Sequence, residues 1–152
     1  MSLVTDYFAA ADDERAATVA VGGPEAVDPV AVRRPFVSVR VASIDPFVAL
    51  GTLTALLTDR PYAEVVRHPR HGTLVASVGD EGPWVVSVSE ELVSALAGAA
   101  PGLLDRVARR WAGAEEVEGA EPGALAATLH ALASLCVRAD DTGERLYCWT
   151  SL

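Results

Sequence analysis

The chain contains no lysine, no asparagine and no glutamine, and its only isoleucine is Ile44. All twelve basic residues are therefore arginine. An all-arginine set would otherwise suggest bidentate recognition of phosphate or carboxylate. Here the missing residues share codons that lean toward A and T, so a GC-rich bacterial genome accounts for the bias without any appeal to function. Cysteine is equally scarce. Cys136 and Cys148 lie outside any CxxC spacing, which excludes a zinc framework and a dithiol redox motif, and in a reducing compartment both read as free buried thiols. No apolar run reaches the roughly 18–20 residues of a membrane span. The opening "MSLVTDYF" lacks a basic region followed by an apolar one, so no secretory signal is expected and the cytoplasm is the expected compartment. There is no GxSxG, no GxGxxG, no Walker loop and no internal repeat.

What is present is ordinary globular composition. Hydrophobic residues at 51% over 152 residues suffice for one real core, so a single domain is expected. Twenty-one acidic residues against twelve arginines leave a net charge of −9. That balance repels polyanions and argues against nucleic-acid or anionic-membrane partners. Local basic patches are confined to "VRRP" (32–35), "RHPRHG" (67–72) and "ARR" (108–110).

The pattern alternates helices and strands. Leu3–Ala10 reads as a strand, and Asp12 or Asp13 caps a helix running to about Val21. Phe36–Ser43 alternates as a strand with Val37, Val39 and Val41 on one face. Asp45 is the expected N-cap of the most hydrophobic helix, with Pro46 at its first position and Phe47, Leu50, Leu53 or Thr54, and Leu57 as its buried stripe. Gly51 in that helix implies close approach of a neighbouring element. A short helix runs from Pro61 to Val66. Thr73–Val78 and Trp84–Val88 form a hairpin, Ser89 caps another helix, and Pro101 opens the next. A longer helix spans about 122–139, and "RLYCWTSL" closes as a strand inside the sheet, beside the first. The expected fold is α+β: one mixed sheet of about five strands including both chain termini, packed with about five or six helices.

The opening "DYFA" followed by an acid-capped helix, the central "WVVSVSEELVSAL", and the helix-to-strand finish resemble the YfbM-like family of small bacterial proteins of unknown function. The matching residues are Tyr7, Phe8, Ala9 and Glu90–Leu92. The resemblance implies a compact α+β fold and brings no catalytic residues with it.

Candidate sites follow from residue chemistry. Glu64, His68 and His71 could supply three zinc ligands. Pro69 interrupts the helix between the histidines, however, and cations gather at helix C-termini for electrostatic reasons alone, so the helix-end reading is preferred. Asp45 could act as a general acid or base, but capping suffices for it. Tyr147 and Trp149 share one face of the last strand, and Trp84 could extend that face into an aromatic binding surface. Two layers burying all three is the simpler outcome. Arg145 could orient a carboxylate or phosphate. His130 and Cys136 fall on opposite sides of one helix and make no dyad.

No set of nucleophile, base and orienting group assembles. The favoured expectation is a non-catalytic domain binding another protein, inhibitor- or immunity-like or an adaptor, without a cofactor, as a monomer or small homo-oligomer. The alternative is a small-molecule-binding protein or enzyme with a cleft near Asp45, Trp84 and Arg145.

Overall fold

The structure, a computed structural model, describes residues 3–25 and 36–152. The basic "VRRP" stretch lies outside them. Five strands make one sheet: β1 (Val4–Ala10), β2 (Ser38–Ala42), β3 (Leu74–Ser77), β4 (Trp84–Ser87) and β5 (Arg145–Ser151), in the order β2-β1-β5-β4-β3. The two strands nearest the chain ends are neighbours, with Val4 opposite Ser151 and Ala10 opposite Arg145. All four pairings are antiparallel, where a mixed sheet was expected. The long run of helices between β4 and β5 returns the chain alongside β4 in the reverse sense, so no parallel pair arises.

Among the described residues six α-helices accompany the sheet: α1 (Asp13–Ala17), α2 (Val48–Thr58), α3 (Tyr62–Val65), α4 (Glu90–Ala97), α5 (Pro101–Trp111) and α6 (Pro122–Thr142). Helices α2, α4, α5 and α6 pack on one face. Their apolar residues, among them Leu50, Leu53, Leu96, Trp111, Leu129 and Leu132, close over Tyr7, Ala9, Leu146 and Cys148. The other face carries a smaller core in which Ala16, Val19 and Ala20 cover Phe8, Ala10, Val85 and Tyr147. Strands β1 and β5 are therefore buried on both sides, which is why "TDYFAA" and "LYCW" are nearly continuous apolar runs.

Local chemistry sets the element ends. Ser89 accepts from the Leu92 amide at 3.3 Å and caps α4. Pro101 opens α5, whose buried Leu104, Val107, Ala108 and Trp111 recur at helical spacing. Gly143, at φ +69°, stops α6 three residues beyond the expected Ala139. Helix α1 ends at Ala17, four residues short of expectation. The β-branched Thr18, Val19 and Val21 are poor helix formers, and the chain instead turns to lay Gly23, at φ +83°, against the Trp149 ring.

Candidate functional site

The "RHPRHG" stretch follows α3, and its Arg70 reaches both α1 and α4. Arg70 donates to the Asp13 carboxylate through both terminal nitrogens, at 2.8 and 3.2 Å. The Tyr147 hydroxyl donates to the same carboxylate at 2.7 Å, and the Arg70 guanidinium sits 5.7 Å from the centre of the Tyr147 ring. On its other side Arg70 Nε lies 3.3 Å from Glu90, which also has Arg145 at 3.9 Å and His68 Nε2 at 3.6 Å. His68 Nδ1 accepts the Arg70 amide, and the Arg70 carbonyl accepts the Ser87 hydroxyl at 2.7 Å. This cluster ties the first turns of α1 and α4 to β4 and β5.

Its electrostatics suit fastening rather than proton transfer. The Arg70 hydrogen bonds hold the Asp13 carboxyl down at about 2. Burial pushes the Tyr147 phenol up, and the Asp13 carboxylate pushes it further. A general acid or base works best with its pKa near the working pH, and both groups are displaced from neutrality in opposite directions.

The three candidate metal ligands are apart in their bonding. Glu64 faces Arg60 at 3.5 Å, His68 faces Glu90, and His71 Nε2 lies 2.9 Å from the Phe47 carbonyl. That carbonyl can only accept, so Nε2 carries the proton and donates. Burial lowers the His71 pKa. Among the described residues no group of three or more His, Cys, Asp or Glu could hold a metal ion. Both cysteines are free and buried, and burial drives the Cys136 thiol up to about 12.

The aromatic strand does not form a surface. Tyr147 is fully buried, stacked 5.7 Å from Phe8, while the half-buried Trp149 donates its indole N–H to the Ala20 carbonyl at 3.0 Å. Trp84 stands opposite Thr150, which places it on the other face from Tyr147 and Trp149. Arg145 lies at the far end of β5 from Thr150, about 17 Å along the strand at the usual rise. Trp84 and Arg145 consequently share no cleft. A register between β4 and β5 decides this, and neither strand's own pattern contains it.

Asp45 caps α2. Its Oδ1 accepts from the Phe47 and Val48 amides at 2.9 and 2.6 Å, and its Oδ2 from Ala49 at 3.1 Å. The helix starts at Val48, so Phe47 precedes the first turn and leaves the expected buried stripe. It lies over Gly72 and meets the His71 ring edge-on at 4.7 Å. The approach implied by Gly51 is that of Tyr62: a Cβ at position 51 would sit 2.6 Å from its Cε2. Phe47, Val48 and Tyr62 are exposed large apolar residues, at 44, 45 and 39%. Burial raises the Tyr62 pKa, and the charges of Asp45 and Glu116 add to the rise. Phe47 and Tyr62 were not legible as surface residues, although Gly51 marked the place.

A buried carboxylate also went unread. Asp6, 1% exposed, takes two hydrogen bonds from Arg40 at 2.7 and 2.8 Å across the β1–β2 pair. Nothing about an acid in "TDYF" announces its partner on another strand.

No family model, no curated protein and no solved structure matches the chain. Among the described residues no helix is long and apolar enough to cross a membrane.

Proposed function

We propose that the protein is a non-catalytic protein-binding domain, inhibitor- or immunity-like or an adaptor, and that it meets its partner at the start of α2. The observation that carries this reading is the exposure of three large apolar side chains, Phe47 and Val48 at the start of α2 and Tyr62, whose ring lies against Gly51 one helical turn further along α2. Exposed aromatic anchors are the usual makings of an interface. The overall charge of −9 favours a basic partner, drawn in by long-range attraction. The proposed setting is the cytoplasm, without nucleic acid, membrane or cofactor. The YfbM-like kinship read from Tyr7, Phe8, Ala9 and Glu90–Leu92 belongs to the same proposal and supports only the fold.

The test is a photo-cross-linking side chain placed at position 47 or 62 in the parent cell, with position 137 on α6 as the control. One basic protein should be trapped from 47 and 62. Excess wild-type protein should compete it away, and a Phe47→Asp/Tyr62→Ala variant should not. Equal adducts from position 137, or none that wild-type competes, would overturn the reading.

A further inference from the structure

A cavity of about 480 Å³ opens at the end of the sheet, walled by Asp80, Glu81, Trp84 and Leu152. Its size falls in the range of small-ligand sites. The indole is held from behind by Gly82, where φ is +80° and an added Cβ would come within 2.6 Å of the ring. That contact presents the ring as a fixed flat wall. Asp80 and Glu81 both line the cavity, and among the described residues neither pairs with an arginine or histidine.

We infer that this cavity binds a guanidinium group. A cation is attracted to the face of an indole, and tryptophan is the strongest of the aromatic partners. A guanidinium is flat, so it can stack on the ring while its N–H edge reaches a carboxylate with two parallel hydrogen bonds. A compact ammonium cannot do both. The remaining volume and the exposed Leu152 accommodate an aliphatic stem. The group comes either from an arginine of a polypeptide or from a small free guanidine. The site is separate from the α2 surface and does not depend on it.

The chain's three tryptophans supply the readout. Trp111 is fully buried and Trp149 is bonded to Ala20, which leaves Trp84 as the indole N–H resonance that a ligand here should move. Titration of ¹⁵N-labelled protein with N-acetyl-arginine amide should shift one indole signal saturably, and Trp84→Leu should remove that signal. The neutral isostere N-acetyl-citrulline amide should leave it in place, and N-acetyl-lysine amide should bind more weakly. Asp80→Asn/Glu81→Gln, confined to an exposed turn, should weaken binding about threefold or more. Tighter binding of N-acetyl-arginine amide than of methylguanidine assigns the source to a polypeptide, and the reverse to a free guanidine. No saturable shift, an equal response to citrulline, or undiminished affinity in the Asp80/Glu81 variant would each overturn the proposal.

Discussion

The Tyr147 hydroxyl and the Asp13 carboxylate, 134 residues apart, meet in a 2.7 Å hydrogen bond. Arg70 binds the same carboxylate, so a strand, a short helix and a loop converge on one acidic side chain. The small layer over β1 and β5 is pinned there.

Asp13→Asn should lower the melting temperature by a few degrees. The side chain is 51% exposed, so water screens the pair and the loss is held to about 1 kcal/mol. Its pH dependence is the sharper test. The folded state holds the carboxyl near 2, below the ordinary 3.8, so the contribution is complete above 3.8 and disappears as pH falls through 2. Thermal melts across that window should fall more steeply for the wild type than for Asp13→Asn.

Asp6 and Arg40 should behave as a unit. Arg40→Met leaves the almost wholly buried Asp6 side chain without its partner and should cost about 2–3 kcal/mol in urea unfolding, somewhat under a fully buried pair because Arg40 is 59% exposed. The Asp6→Leu/Arg40→Met double variant should recover most of that loss. Additive losses would show that the two side chains act independently.

Gly51 and Tyr62 make a second coupled pair. Alanine is favoured over glycine in a helix interior by ~1 kcal/mol, yet a Cβ at position 51 collides with the Tyr62 ring. Val66 also stands 3.1 Å from that Cβ, so Gly51→Ala should stabilise the Tyr62→Ala background by up to about that amount and the wild type by clearly less, as chemical denaturation will show. In the wild type the same substitution should also displace Tyr62 and weaken cross-linking from position 47.

Deletion of Arg145–Leu152 removes the strand between β1 and β4. The truncated chain should show no cooperative thermal transition by circular dichroism.

What could be read in advance was local. Asp45 and Ser89 sit within four residues of the amides they cap, and "LYCW" declares a strand buried on both faces by its lack of alternation. Arg70 could not be assigned because its partners come from α1, α4 and β5, and a helix C-terminus explains a basic residue equally well. That Trp84 lies on the other face from Tyr147 and Trp149 could not be read from either strand, because facing depends on the residue each meets across the strand pair. Phe47 was misplaced by a two-residue shift in the start of α2, enough to turn its ring out of the core.

The central position of β5 also governs how the chain acquires its shape during synthesis. Until residues 145–151 have left the ribosome, β1 lacks its inner neighbour and the β3–β4 hairpin has no sheet to join. The nascent polypeptide must carry the oily side of α2, and then those of α4 and α5, without the completed sheet to close over until β5 emerges, a period when aggregation competes with folding. Chaperone demand should therefore track the speed of translation more closely than the stability of the finished molecule.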